Sequence, residues 1–269
     1  MSKVEARRAG EIAYREIDPG PASADPVLLV HGFPESSRMW VPAMEALAER
    51  GRRCVAPDLY CLGDSTDPGP ATFERNLAAL TRLHAELDLG RVALVVHDWG
   101  GFVGLAWACQ NPDLVSALVI SNAGFFSDGR WHGMAEAIRA EGGEAVLDGL
   151  DRNGFAAVLG ADGAEFSGED VNAYWRPFAE GRGREATAEF YRSMDFEKLA
   201  RYEGKLAALG APTLLLWGAE DKFAPIGGAY RFKKEIPGAE LIAIEDAGHF
   251  VFDQEPERCV EAVIEFLNR

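Results

Sequence analysis

Cysteine is scarce and scattered. Cys54, Cys61, Cys109 and Cys259 are the only four in 269 residues, with no CxxC pair among them. That spacing excludes a disulfide framework or a thiolate metal site and reads as reduced, mostly structural thiols of a cytoplasmic protein. Basic charge is short as well: 27 Lys and Arg stand against 43 Asp and Glu, a net charge of −16. A chain so acidic is repelled at long range by nucleic acid and by anionic membranes, so neither is expected as a partner. No uncharged apolar stretch approaches the roughly 20 residues that cross a bilayer. Residues 1–17 alternate charged and apolar side chains and lack the apolar core of a secretory signal. Phosphate-cradling and dinucleotide glycine patterns are missing, and the five histidines show no ligand spacing. Neither a cofactor nor a metal is expected.

What is present is an ordinary globular composition, 48% apolar and 26% charged, at a length that suits one α/β domain or a domain with an insertion. Short runs at 27–30, 53–56, 92–96, 117–120, 213–217 and 241–244 are apolar on both faces and read as buried strands. Between them, Phe73, Leu77, Leu80, Leu83 and Leu87 recur at helical spacing, as do Cys259, Val260, Val263, Phe266 and Leu267 near the end, after Pro256. Residues 4–8 and 11–17 read as a polar hairpin on the sheet edge, and 17–26 as a turn-rich loop. Strand alternating with helix predicts an α/β fold with a mostly parallel sheet flanked by helices. The rhythm breaks over 125–206, which is helical in composition and has no buried-strand run. The expected organisation is therefore a core of 1–124 and 207–269 carrying an inserted helical subdomain, 125–206.

The sharpest chemical signal is His97-Asp98-Trp99-Gly100-Gly101, directly after a strand and opening a helix. This has the place and form of a nucleophile elbow, with aspartate where serine is commoner. The plainer reading is that Asp98 only caps the helix. Two later loops weigh against it. Gly218-Ala219-Glu220-Asp221 follows one strand and Asp246-Ala247-Gly248-His249 follows the next, giving the chain order nucleophile, acid, histidine. Asp221 would orient His249 and stabilise its charged form. Glu220 is the adjacent rival.

These motifs, with His31-Gly32-Phe33-Pro34-Glu35-Ser36 and Ala56-Pro57-Asp58-Leu59, resemble the α/β-hydrolase-fold superfamily. They are most similar to its branch of epoxide hydrolases and haloalkane dehalogenases with an aspartate nucleophile. The resemblance implies a cis Phe33-Pro34 peptide and an oxyanion hole built from the Phe33 and Trp99 amides. It also implies that 125–206 is a lid, or cap, over the site. One turn departs from the pattern: Cys61 stands where relatives usually have glycine.

A carboxylate attacking carbon forms an alkyl ester with the enzyme, whereas serine forms an acyl-enzyme from an ester or amide. Asp98 therefore argues for C–O or C–halogen cleavage. The expected substrate is a small apolar epoxide or halogenated compound, with water as co-substrate. An epoxide needs a proton donor for its alkoxide. Tyr191, in Phe190-Tyr191-Arg192-Ser193, resembles one of the ring-opening cap tyrosines, and the plainer reading is a ring packed in the cap core. No second tyrosine is evident, and Tyr174 or His132 would have to substitute. A halide needs N–H donors instead: Trp99 offers one indole, and Trp131 or Trp175 would complete the pair. The balance of motifs favours epoxide hydrolysis over dehalogenation. A catalytically silent member that binds a small ligand would carry a broken triad, and here the triad is whole.

Overall fold

Strands that must be apolar on both sides lie where both sides are covered. In a computed structural model, which describes residues 3–21, 24–66 and 69–269, eight strands form one sheet: β1 (Glu5–Ala9), β2 (Ile12–Ile17), β3 (Val27–Val30), β4 (Cys54–Pro57), β5 (Val92–His97), β6 (Val115–Ser121), β7 (Thr213–Gly218) and β8 (Glu240–Ile244). Their order is β1-β2-β4-β3-β5-β6-β7-β8, parallel from β4 through β8. Every residue of β3, β4, β5 and β7 is buried, which is why these segments read as continuous apolar runs. Side chains alternate between faces. Leu28, Val30, Leu94, Val96, Ile120 and Trp217 enter one core, and Val27, Leu29, Ala93, Val95, Val119 and Leu216 the other.

Helices cover both faces. They are α1 (Val41–Ala48), α2 (Phe73–Glu86), α3 (Trp99–Gln110), then α4 (Gly133–Arg139), α5 (Glu144–Asp148), α6 (Arg152–Leu159), α7 (Gly168–Glu180), α8 (Gly183–Ser193) and α9 (Lys205–Ala208), and finally α10 (Gly227–Glu235), α11 (Val251–Gln254) and α12 (Pro256–Leu267). The second core is closed by Met44 and Leu47 of α1 and Val263 and Phe266 of α12, and the first by α2, α3 and α10. Six of these helices, α4 to α9, lie between β6 and β7, a stretch with no strand. Within it α8 packs on α4, α5 and α7, and against α2 of the core. Its attachment is polar: Glu189 and Ser193 of α8 accept the backbone N–H groups of Ala71 and Phe73 at 2.7 and 2.8 Å.

Three details depart from the sequence reading. The hairpin is polar only on β1; β2 is inserted between β1 and β4 and buries Ile12, Ala13, Tyr14 and Ile17. Strand β8 pairs with β7 alone, so its middle residues are half-buried instead of enclosed. Cys61 adopts a φ of 59°, the conformation glycine would hold there at no steric penalty. Of the loop expected over 17–26, residues 22 and 23 lie outside the described residues. All four cysteines are buried, and burial pushes the thiols of Cys54, Cys109 and Cys259 up to about 12. Among the described residues no helix is long and apolar enough to cross a membrane, and no three His, Cys, Asp or Glu groups gather as metal ligands.

Candidate active site

Ligand sites in open parallel sheets form beyond the carboxyl ends of the strands, and the candidate residues gather there. Asp98 is the single residue between β5 and α3, and holds φ 47° and ψ −116°. Few non-glycine residues adopt this conformation, and its strain is the mark of a side chain forced to stand above the sheet. Asp98 does not cap α3. Its Oδ1 instead accepts the Phe33 N–H at 2.7 Å, from the loop after β3 where the Phe33-Pro34 peptide is cis. Two glycines permit this approach. A methyl group at Gly32 would overlap the Asp98 side chain, and one at Gly100 would overlap the Val30 carbonyl.

His249, in the loop after β8, completes the arrangement. Its Nδ1 donates to Asp221 Oδ2 at 2.9 Å, and its Nε2 lies 3.5 Å from Asp98 Oδ2. Asp221 is well held: Oδ1 accepts the Phe223 and Ala224 amides at 2.7 and 2.8 Å, and Oδ2 also accepts Asn122 Nδ2 at 2.6 Å. Glu220, the rival acid, is exposed. Burial opposes charge on Asp221, but His249, Asn122 and the Ala224 amide outweigh it and hold the carboxyl at about 2. Burial likewise opposes a charged His249, yet Asp221 and Asp98 together raise it to about 10. Asp98 is lowered despite burial, chiefly by His249. The resting site is thus an imidazolium between two carboxylates.

Asp98 opens on a cavity of about 250 Å³ lined by Trp99, Phe102, Phe126, Trp131, His132, Tyr191, Phe196 and Phe223, and on a narrow crevice with Phe33, His132, Tyr191 and His249. Tyr191, Trp131 and His132 thus lie beside the carboxylate. The Tyr191 ring meets Trp99 edge-on at 4.8 Å and Trp131 at 5.0 Å. Burial and then the Asp98 charge hold its phenol well above the ordinary value, with the Trp99 side chain opposing them. Tyr174 and Trp175 are corrections: neither borders Asp98. Tyr174 lines a separate cavity with Arg15, Arg38 and Asp253. Trp175 packs inside the helical layer on Phe155 and Phe178, at 5.4 and 6.0 Å, with Arg184 over its ring. Both sit on the amphipathic helix α7, and its buried stripe faces neighbouring helices and not Asp98.

The family described as alpha/beta hydrolase fold matches residues 25–256. The chain belongs to that family. Curated relatives of this α/β-hydrolase include a haloalkane dehalogenase of Sphingobium indicum, 32% identical over 94% of this chain and 91% of its own length. Another is the cis-3-alkyl-4-alkyloxetan-2-one decarboxylase of Xanthomonas campestris pv. campestris, 27% identical over 96% of this chain and 93% of its own. Among solved structures, a haloalkane dehalogenase from Bradyrhizobium elkani USDA94 superposes with a TM-score of 0.84 at 25% identity, covering 100% of this chain and 98% of that one. An epoxide hydrolase from Vigna radiata shares the fold with a TM-score of 0.83 at 24% identity, over 99% of this chain and 98% of its own.

Several residues of the hydrolase site escape a reading by motif. Asn122 bridges β6 to the acid loop, donating to Asp221 and accepting the Gly218 N–H at 3.2 Å; its place just after a central strand was the available signal. Asp162, from the helical insertion, accepts the His249 backbone N–H. Behind Asp98, His97 Nε2 lies 3.5 Å from the buried Glu35 carboxyl. Burial first and the nearby Asp253 charge second push Glu35 well above the usual carboxyl range, and burial takes Asp253 to about 6. Burial first and the His249 charge second lower His97 to about 3, keeping it neutral.

Proposed function

We propose that the protein is an epoxide hydrolase in which Asp98 is the nucleophile, His249 the base, Asp221 its orienting acid and Tyr191 the proton donor. The observation that carries this reading is the Tyr191 side chain, which borders Asp98 in both the cavity and the crevice. Its phenol can give a proton to an alkoxide formed there, a donor that a leaving halide does not need. His132 is the second donor. Its Nδ1 accepts the Ala135 N–H at 3.4 Å, so a neutral ring carries its proton on Nε2, and burial keeps the ring neutral by lowering its pKa.

In this mechanism Asp98 Oδ2 attacks an epoxide carbon, the C–O bond breaks, and the alkoxide takes the Tyr191 proton. The alkyl ester on Asp98 carries no charge, so His249 loses one of its two counter-ions and passes its proton, through water, to the Tyr191 phenolate, which restores the phenol. Neutral His249 then deprotonates a water that attacks the ester carbonyl. The oxyanion forms at Oδ1, where the Phe33 N–H already points and the Trp99 N–H joins it. Such a donor is typically worth about 10²–10³ in rate. Collapse releases a vicinal diol and restores the carboxylate. Helices over 125–206 act as the cap on a core of 1–124 and 207–269, and no cofactor takes part.

A single turnover in ¹⁸O water, read by mass spectrometry of the Asp98 peptide, tests the reading. Label belongs in that carboxylate; label only in the diol refutes the ester. A second reading, haloalkane dehalogenation on the same triad, draws on one observation. The Trp131 indole N–H, on the cavity wall, is buried without a hydrogen-bond partner and is free for a halide. Tyr191→Phe and Trp99→Phe, assayed on epoxides and short bromoalkanes, separate the two. Epoxide turnover should fall by one to three decades in Tyr191→Phe. Full epoxide activity there, with bromoalkane turnover lost in Trp99→Phe, would replace the first reading by the second.

A further inference from the structure

The cavity above Asp98 is aromatic along most of its wall and carries one arginine, Arg130, on the loop leading into α4. Arginine is used heavily in this part of the chain, and every other one there has a partner. Between residues 125 and 231, the guanidinium groups of Arg139, Arg152, Arg176, Arg182, Arg184, Arg192, Arg201 and Arg231 all make hydrogen bonds. Among the described residues Arg130 alone in this stretch makes none, and it is exposed. The first turn of α10, Gly227 and Gly228, borders the same cavity without a side-chain cap, so its partial positive charge adds to that of the guanidinium.

From this geometry we propose that Arg130 selects substrates carrying a carboxylate at the end remote from the reacting carbon. Chemistry at Asp98 requires the near end of the substrate to be uncharged, because a carboxylate beside the nucleophile would be repelled. A chain of net charge −16 also repels anions at long range, so acceptance of a carboxylate needs a local cation with no other engagement. The aromatic wall then holds the short apolar segment between the two ends. The assignment rests on the proposed reaction only for the reacting end; the carboxylate contact is tested without turnover.

Quenching of the cavity tryptophans Trp99 and Trp131 by hexanoate and by hexanamide gives two affinities that differ in charge alone. In the wild type, hexanoate should bind about three- to tenfold tighter than hexanamide at low salt, with the ratio narrowing at 0.3 M salt. In Arg130→Gln the ratio should fall to about one or below, and Arg130→Lys should keep most of it. Hexanamide binding as tightly as hexanoate in the wild type overturns the proposal. So does a preference that survives Arg130→Gln. Absence of epoxide turnover with an intact hexanoate preference would count against the proposed reaction alone.

Discussion

Replacing Asp98 by asparagine removes one of the two charges that hold the His249 proton while keeping the shape of the side chain. Asp98 Oδ2 lies 3.5 Å from His249 Nε2, and its side chain is 20% exposed. At that separation a unit charge contributes about 4–5 kcal/mol at an effective dielectric constant of about 20, or roughly three pK units. Partial exposure screens some of this, so His249 should fall from about 10 by two to three units, to about 7–8. The asparagine carbonyl stays on the Phe33 amide, which leaves its NH₂ facing Nε2 and disfavours the imidazolium further. An alkyl ester at Asp98 removes the same charge, so the variant imitates the state in which His249 must act as a base. Long-range ¹H–¹⁵N spectra of ¹⁵N-histidine protein, titrated from pH 5 to 11 and assigned with His249→Gln, read the value directly. A His249 pKa still near that of the wild type would refute the view that alkylation switches this residue from acid to base.

Three further outcomes are expected. His249→Gln should accumulate a substrate-sized adduct on Asp98 by intact-mass measurement with no steady turnover, because carboxylate attack needs no base and water attack does; undiminished multiple turnover would refute it. Asn122→Gly keeps the φ of 43° without strain but removes the 2.6 Å donor to Asp221; losing this charge-assisted bond should cost about 1.5–3 kcal/mol in denaturant unfolding and lower kcat more than it alters KM. Glu35→Gln tests the buried acid. A carboxyl whose folded pKa is raised adds stability below its unfolded value and loses it as pH rises toward the folded value. The variant should therefore match the wild type at pH 4 and exceed it at pH 8 by on the order of 1–2 kcal/mol. An equal difference at both pH values would contradict that sign. The raised His249 acts in the same sense: its contribution is whole below about pH 6.5 and is lost as pH climbs toward about 10.

The sequence by itself determined whatever is written locally. Buried parallel strands are short and doubly apolar, a strand-to-helix turn followed by glycines marks Asp98, and successive strand-end loops carry Asp221 and His249. Each signal spans fewer than about ten residues, so one chain suffices to read it. The helical stretch between β6 and β7 was legible as an absence of strand. Only the tertiary structure decided which of its aromatic residues meet Asp98. Tyr174, Trp175 and Tyr191 all lie on amphipathic helices, and a buried stripe does not say whether it faces the site or a neighbouring helix. Tyr191 reaches Asp98 because α8 is tied to the start of α2 through Glu189 and Ser193, whereas α7 turns Tyr174 toward Arg38 and Asp253. The sequence already favours Asp221 over Glu220, and the structure adds the physical reason: Asn122, 99 residues away, holds Asp221 inward while Glu220 is exposed. The buried Glu35, His97 and Asp253 group joins the loop after β3, the end of β5 and α11, and the raised pKa values of its two acids exist only because folding removes water from all three at once.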